Sequence, residues 1–180
     1  STFTLEDPIE YRMPLVRQTQ IKEEVGLTFS AGLRALLRQD PDIILVGETR
    51  DTETAKIAVE AALTGHLVFT TLHANDAPSA FMRLMEMGIE PFLVSTSVIG
   101  VIAQRLVRRI CTVCSETYKP DVMYTRYLGL PEETEFYRGG GCEACDFTGY
   151  RGRIGVYEVL NVNDKVRHLV AEGSDTQLIR

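Results

Sequence analysis

The segment Ile43-Ile44-Leu45-Val46-Gly47-Glu48 gives the clearest indication of the fold. Its four consecutive apolar residues predict a strand that is buried on both faces, as in the centre of a parallel sheet. The stretch follows Asp40-Pro41-Asp42, which ends the preceding helix because the residue before a proline disfavours the α region. The stretch ends at a glycine and a carboxylate, so a charged side chain is expected at the end of a central strand.

Strands and helices alternate on both sides of this stretch, which favours an α/β sheet with crossover connections. A strand is predicted at Phe3–Glu6 and another at Leu67–Thr71. The expected helices run from Thr28 to about Gln39, from Asp51 or Thr52 to Thr64, from about Ala77 to Met87 and from about Phe92 to Arg109. A strand from Arg153 to Leu160 and a helix beginning at Asn163 or Asp164 follow later. Three strand–helix units in the first half predict a Rossmann-like or RecA-like arrangement.

Composition and charge narrow the class of protein. At 180 residues the chain can bury one core plus a small appendage. Its net charge of -6 argues against nucleic acid or an anionic membrane surface as a partner. The longest apolar stretches are too short to span a membrane. Both ends look cut, so the chain is expected to be a piece of a longer protein.

Four cysteines stand in two pairs, Cys111-x2-Cys114 and Cys142-x2-Cys145, separated by 27 residues. Two such pairs can complete a tetrahedral shell of four thiolates, which binds Zn²⁺ structurally and leaves no open position for catalysis. The alternatives are two disulfides, a redox C-x-x-C pair, or four unrelated buried thiols. Because residues 111–149 are poor in aliphatic side chains, we expect metal binding to supply much of their folding free energy.

Acidic and histidine side chains follow the predicted strands. In an α/β sheet the chemistry lies beyond the carboxyl ends of the strands, where Glu6, Glu48 and His73 fall. Glu48 is well placed to polarise an attacking water, and Glu6 to hold a second position around a Mg²⁺ ion. Each carboxylate could equally be solvated and idle. His66 begins a strand, where a histidine is most often packed and hydrogen-bonded.

Arginines form two local groups. Arg34 and Arg38 are four apart on one helix face, where they could pair with acidic side chains or bind a triphosphate through their planar forks. The group Arg105, Arg108 and Arg109 is predicted to end the helix that begins near Phe92 and to complement its dipole.

Four runs together resemble the secretion traffic ATPases, the hexameric motors of type II secretion and type IV pilus assembly. They are Thr4-Leu5-Glu6-Asp7-Pro8-Ile9-Glu10, Leu33-Arg34-x-x-Leu37-Arg38-Gln39-Asp40-Pro41-Asp42, Gly47-Glu48-Thr49-Arg50-Asp51, and Thr64-Gly65-His66 through Leu72-His73. The resemblance covers nearly the whole chain, and the cysteine pairs match the assembly and secretion branch. It implies a RecA-like ATPase core at residues 1–110, a zinc-binding subdomain at 111–149, and a C-terminal strand and helices at 150–180.

The resemblance implies a role for each matching position. Glu48 resembles the catalytic glutamate of the Walker B strand, and Glu6 the acidic-box glutamate. His66 and His73 resemble the two histidines of the family's His box, a sensor between the nucleotide and the subunit interface. The residues that resemble family arginines approaching phosphates, within a subunit or across the interface, are Arg34, Arg38, Arg83 and Arg153.

From these matches we predict which residues act and which bind. The predicted catalytic residues are Glu48, Glu6, Arg34, Arg38 and His73. The predicted nucleotide-contacting residues are His66, Arg83 and Arg153. The implied cofactors are ATP, Mg²⁺ and Zn²⁺.

Two departures from the family pattern are visible. Thr49 stands where the family usually has an apolar residue, and no phosphate-binding loop G-x-x-x-x-G-K-[ST] occurs in this chain. We therefore expect this chain alone to hydrolyse ATP negligibly, and the parent protein to hydrolyse it.

The resemblance also implies where the parent protein acts and with what. It implies a homo-hexamer in the cytoplasm, peripheral at the inner membrane through platform and adaptor proteins. The rival hypotheses are a zinc-stabilised docking module without turnover and a nucleic-acid motor on the same core. The acidic balance argues against the latter.

Overall fold

The computed structural model describes residues 1–179, and its centre is a four-stranded parallel sheet. The strands are β1 (Thr2–Glu6), β2 (Val16–Gln20), β3 (Ile43–Val46) and β4 (Leu67–Thr70), in the order β2-β1-β3-β4. All pairings are parallel, so the four C-terminal strand ends lie along one side of the sheet, here called the carboxyl edge. The opposite side is called the amino edge. The predicted α/β fold with a parallel sheet is confirmed.

Two helices cover the sheet, as the sequence predicts. Helix α1 (Phe29–Leu37) begins after Thr28, whose hydroxyl accepts a hydrogen bond from the backbone N–H of Ala31 at 3.2 Å. Helix α2 (Thr52–Leu63) begins after Asp51, whose carboxylate accepts from the backbone N–H of Thr54 at 2.8 Å. The core between the sheet and these helices contains Phe3, Leu5, Ile21, Phe29, Leu33, Leu36, Ile44, Val46, Ile57, Ala58 and Ala61.

Two further helices, α3 (Ala77–Glu86) and α4 (Pro91–Ser97), follow β4. The helix predicted from Phe92 to Arg109 is wrong beyond Ser97, because strand β5 (Gly100–Ile110) replaces its second half. The helix ends because the backbone of Val98 is extended. The segment after Gly100 contains several β-branched residues, which favour a strand.

The three arginines predicted to end that helix therefore lie on a strand instead. The guanidinium group of Arg108 stacks 3.9 Å from the ring centroid of Tyr150. A cation–π contact thus replaces, for this residue, the expected interaction with a helix dipole.

The chain divides into two compact units. The first comprises residues 1–103 together with the chain from Glu158 onward, and the second comprises Gln104–Tyr157. The second unit holds the whole 111–149 segment. The functional division into residues 1–110, 111–149 and 150–180 stays a prediction, and Arg180 lies outside the described residues.

Within the second unit, a small antiparallel sheet pairs β6 (Ser115–Tyr118) with β7 (Phe136–Gly139). Helix α5 (Val122–Tyr127) lies between them in sequence. The rings of Tyr118 and Phe136 meet edge to face, with centroids 6.2 Å apart. Large apolar side chains of α5 remain exposed, so this unit buries little apolar surface of its own.

Strand β8 (Tyr150–Asn161) pairs with β5 in a separate two-stranded sheet and leads into α6 (Asp164–Ala171) and α7 (Thr176–Ile179). Asn163, one of the two predicted starts of this helix, caps α6 by accepting from the backbone N–H of Val166 at 3.0 Å. These helices pack with α2, α3 and α4 in a second core. Its buried members are Ala55, Val59, Phe81, Leu84, Met87, Ile89, Val94, Val162, Val166, Val170 and Ile179.

Among the described helices, none combines the length and the apolar character needed to cross a bilayer.

Candidate functional site

Three of the predicted site residues lie at the carboxyl edge of the sheet. Glu6 is the last residue of β1, Glu48 follows β3 by two residues, and His73 follows β4 by three. The strands β1, β3 and β4 are consecutive neighbours, and Leu5 is in register with Val46. The structure therefore brings Glu6, Glu48 and His73 to the same edge, although their roles stay predictions.

Gly47 allows the chain before Glu48 to pass close to strand β1. Its backbone N–H donates to the carbonyl of Leu5 at 2.7 Å. A Cβ atom at this position would lie 2.9 Å from that carbonyl oxygen and 3.3 Å from Cα of Glu6. A side chain at position 47 would therefore push the two carboxylate-bearing strand ends apart.

The segment after Gly47 is tied to the end of β4 by hydrogen bonds. The hydroxyl of Thr71 donates to the carbonyl of Gly47 at 2.7 Å, and the backbone N–H of Thr49 donates to the carbonyl of Thr71 at 3.0 Å. The departure at Thr49 also has a physical explanation. This side chain is 2% exposed, and its hydroxyl is hydrogen-bonded to that of Thr70 at 2.8 Å, so the buried polar atom has a partner.

Glu6 is held by two polar side chains. Thr4 donates its hydroxyl to Oε1 of Glu6, and Gln18 on the neighbouring strand β2 donates to the same oxygen at 2.9 Å. Gln18 also bonds the carbonyl of Tyr11 at 2.8 Å and the backbone N–H of Met13 at 2.8 Å. Gln18 therefore links the carboxylate to the loop that follows β1. No local pattern in the sequence marks Gln18 as a site residue, because only the pairing of β2 with β1 brings it beside Glu6.

The side chains of Arg34 and Arg38 have partners other than Glu6 and Glu48, the two predicted carboxylates at the carboxyl edge. Nη1 of Arg34 lies 2.6 Å from Oε1 of Glu53 in α2, and this interaction lowers the pKa of Glu53. Nη1 of Arg38 donates to the carbonyl of Arg34 at 2.9 Å. Of the two alternatives for these side chains, pairing with an acidic residue describes Arg34. Phosphate contacts by Arg34 and Arg38 stay a prediction.

His66 lies at the amino edge, immediately before β4, and so away from Glu6, Glu48 and His73. Its Nδ1 is 2.9 Å from the carbonyl of Ala61 and 3.2 Å from the hydroxyl of Thr64. This arrangement corresponds to the packed, hydrogen-bonded histidine that the sequence left open as an alternative. A nucleotide contact by His66 would need a group that reaches the amino edge.

The remaining two arginines lie in different units. Arg83 is on α3 and pairs with Glu86 one helical turn away, at 3.0 Å. Arg153 is on β8 in the second unit and is exposed. The predicted nucleotide contacts of both stay predictions.

The four cysteines form one cluster, in which all four Sγ atoms lie within 4.8 Å of one another. The Sγ atoms of Cys111 and Cys142 are 4.0 Å apart, and Cys145 lies 3.8 Å from both Cys114 and Cys142. Four sulfurs bound at about 2.3 Å around a tetrahedral Zn²⁺ would be spaced about 3.8 Å apart. The observed separations fit that shell and are far longer than the ~2.05 Å of a disulfide bond.

Backbone contacts bring the two cysteine pairs together. The backbone N–H of Cys111 donates to the carbonyl of Gly149 at 2.9 Å. Gly139 and Gly149 touch through their backbones, since a Cβ atom on Gly139 would lie 2.0 Å from the oxygen of Gly149. A side chain at this crossing would force apart the two chain segments that flank Cys142 and Cys145.

The electrostatics of the cluster suit a cation. Backbone N–H groups of Cys142 and Gly149 donate to Sγ of Cys145 at 3.2 and 3.3 Å, and they lower the pKa of that thiol to about 6. Burial raises the pKa of Cys114 to about 12. Cys145 is therefore mostly a thiolate at neutral pH. Cys114 keeps its proton unless a nearby positive charge stabilises its thiolate.

Comparison with known proteins identifies relatives of this chain. The sequence profile of the family described as Type II/IV secretion system protein matches residues 1–180. The chain is 54% identical over 184 residues to the Type IV pilus assembly ATPase PilB of Thermus thermophilus, covering all of this chain and 21% of that protein. It is also 54% identical over 170 residues to the Type II secretion system protein E of Dickeya dadantii, covering 94% of this chain and 34% of that protein.

Solved structures share the fold. The structure of the pilus retraction motor PilT with bound ADP aligns with a TM-score of 0.68 and 32% identity, over 96% of this chain and 41% of that one. The Legionella pneumophila ATPase DotB aligns with a TM-score of 0.66 and 26% identity, over 99% of this chain and 41% of that one. The chain thus spans about a fifth to a third of the curated relatives described above, and it belongs to the Type II/IV secretion system protein family.

Proposed function

We propose that this chain is the part of an ATP-hydrolysing motor that carries its catalytic glutamate, and that the full-length protein powers assembly of a pilus or pseudopilus. The observation that carries the proposal is the convergence of Glu6 and Glu48 at the carboxyl edge, held by the Gly47–Leu5 hydrogen bond. Two relatives at 54% identity are named as a pilus assembly ATPase and a type II secretion protein, which supports the proposed reaction.

In this proposal each carboxylate has its own task. Glu48 accepts a hydrogen bond from the water that attacks the γ-phosphate and so orients it in line with the leaving group. Glu6 would hold the Mg²⁺ ion or one of its waters. ATP supplies the reactive phosphoryl group, and the ADP named in the related motor structure supports a nucleotide of this class. The arginines Arg34, Arg38, Arg83 and Arg153, with the histidines His66 and His73, are proposed to contact nucleotide in the assembled protein.

The phosphate-binding loop belongs, in this proposal, to the longer parent protein. The edge of β4 that faces away from β3 could pair with an additional strand, because among the described strands β4 pairs only with β3. Its side chains Leu67 and Phe69 are 39% and 52% exposed. A further strand beside β4 would cover apolar surface and satisfy an open row of backbone hydrogen-bonding groups.

We further propose a homo-hexamer that acts in the cytoplasm, at the inner membrane, through platform and adaptor proteins. The resemblance to the hexameric secretion ATPases implies a ring, and the net charge of -6 favours protein over nucleic-acid partners.

The cysteine cluster is proposed to hold one structural Zn²⁺. Cys111, Cys114, Cys142 and Cys145 provide four soft ligands at tetrahedral spacing, and the surrounding unit has few buried apolar residues. A zinc-stabilised docking module without turnover is the second candidate function, because the exposed apolar side chains of this unit would suit a protein partner.

The test is the Glu48→Gln variant of the full-length protein. We expect ATP turnover to fall by at least about 100-fold, since a positioned general base contributes roughly that much, while ATP still binds. Glu60→Gln, on the exposed face of α2, removes the same charge outside the carboxyl edge and should leave turnover unchanged. Normal turnover in Glu48→Gln would overturn the motor assignment. A full-length protein without turnover that binds its membrane partner only when zinc is present would favour the docking module.

A further inference from the structure

Strand β8 makes a side-chain contact with the start of helix α3. Oε2 of Glu158 accepts a hydrogen bond from the backbone N–H of Ala77 at 3.0 Å, across 81 residues of sequence. Ala77 is 0% exposed, so its N–H is shielded from water. The carboxylate therefore satisfies a donor that would otherwise be buried without a partner.

The first turn of α3 shows why this contact matters. The first N–H groups of a helix have no acceptor within the helix. At this terminus Pro78 has no N–H, and the N–H of Ser79 is bonded to Oδ1 of Asp76 at 3.0 Å. The N–H of Ala77 is the remaining donor among these first three positions, and it is the one that Glu158 satisfies. Both carboxylates also lie at the positive end of the helix dipole.

The loop before α3 carries His73, and hydrogen bonds fix it at both ends. At its start, Thr71 bonds to the Gly47–Thr49 segment beside Glu48. At its end, the loop enters α3 at Asp76 and Ala77, where Glu158 holds the first helical residue. The position of His73 relative to Glu48 therefore depends on both anchors, of which only the first belongs to the central sheet.

We infer that Glu158 is a positioning residue for the reaction, acting through Ala77 on the loop that carries His73. The inference rests on the proposed function, because it assigns a consequence for turnover to a contact outside the carboxyl edge. Loss of the carboxylate would leave the Ala77 N–H without an acceptor and would loosen the first turn of α3. The loop would then sample more positions, and the fraction of molecules with the reactive geometry would fall.

The experiment compares three variants of the full-length protein. Glu158→Ala removes the acceptor, and Glu158→Gln keeps an oxygen that can accept from Ala77. The matched control is Asn163→Ala, which removes the side-chain cap of α6 in the same unit. We expect the two alanine variants to lower the melting temperature by similar amounts, since each removes one helix cap.

Turnover separates positioning from stability. We expect Glu158→Ala to lower kcat by about fivefold or more with little change in the KM for ATP. Glu158→Gln should recover most of this loss, and Asn163→Ala should keep the wild-type kcat. A normal kcat in Glu158→Ala, or an equal loss of kcat in Asn163→Ala, would overturn the inference.

Two further measurements make the outcome decisive. Amide hydrogen exchange at residues 73–79 should accelerate in Glu158→Ala and stay unchanged in Asn163→Ala, and this readout does not depend on turnover. If Glu158→Ala does not fold, Glu158→Asp, whose shorter side chain retracts the acceptor, should show the same changes. Unchanged exchange at residues 73–79 would contradict the inference. The proposed function fails separately, if Glu48→Gln retains normal turnover.

Discussion

The side chains of Glu48 and Arg50 form an ion pair, with Nε of Arg50 2.7 Å from Oε2 of Glu48. The Glu48 side chain is only 17% exposed, whereas that of Arg50 is 67% exposed. The contact therefore orients a largely shielded carboxylate from its solvent side and engages one of its two oxygens. If Glu48 orients the attacking water, Arg50 fixes the direction in which the carboxylate points.

Replacing Arg50 should thus impair the reaction more than nucleotide binding. In full-length Arg50→Ala we expect kcat to fall roughly tenfold, because a small misplacement of a catalytic group is costly, while the KM for ATP changes little. Steady-state kinetics at saturating and limiting ATP would measure both quantities. Arg17→Ala, which removes an exposed guanidinium from strand β2 and its stacking on Phe3, is the matched control and should keep its kcat. An Arg50→Ala enzyme with normal or higher kcat would contradict the orienting role.

The second prediction concerns Gly47. In Gly47→Ala the new Cβ would lie 2.9 Å from the carbonyl oxygen of Leu5, so strands β1 and β3 must separate where Glu6 and Glu48 lie. We expect the free energy of unfolding to fall by about 1–3 kcal/mol, as for other overpacked sites, measured by urea denaturation. Gly100→Ala is the control, since its Cβ would make an ordinary contact 3.6 Å from the oxygen of Leu160. Equal stability of the two variants would show that the close approach at Gly47 does not matter.

Much of the fold follows from local signals in the sequence. The apolar run of β3 predicts a central strand because burial on both faces of a sheet needs such a run. The caps Thr28 and Asn163 are found where their side chains predict them, since a capping oxygen needs only the backbone N–H groups two or three residues ahead. Glu6 and Glu48 each lie at the end of a predicted strand. Because the carboxyl ends of parallel strands lie along one edge of a sheet, the sequence also predicts that these two carboxylates share an edge.

Features that depend on distant partners could not be predicted in this way. Strand β2 has one aliphatic residue and is formed by pairing with β1, so its sequence gives little local signal. The helix prediction fails over β5 because its arginines and leucine favour a helix whereas its β-branched residues favour a strand, and pairing with β8 decides between the two. The contacts of Gln18 with Glu6 and of Glu158 with Ala77 join separate elements, so only the folded chain shows them.

The last prediction concerns metal binding by the cysteine cluster and its dependence on pH. We expect one Zn²⁺ per chain, bound with release of protons, because the ligands are thiolates. Cys145, with a pKa of about 6, is already deprotonated near neutral pH. The pKa of Cys114 is about 12, so zinc must displace its proton. The apparent affinity should therefore rise by at least about tenfold per pH unit between about pH 7 and pH 8.5.

Competition with a chromophoric chelator at several pH values would measure this slope, and elemental analysis would measure the stoichiometry. Below about pH 6 the slope should steepen, since Cys145 then also carries a proton that zinc must displace. Cys114→Ser should lose most of the bound zinc, whereas Thr112→Ser changes a neighbouring exposed side chain and should keep it. An affinity independent of pH would exclude a shell of four thiolates, because Cys114 must release its proton to bind the metal as a thiolate. Full zinc content in Cys114→Ser would exclude it too, because Cys114 would then not be a necessary ligand.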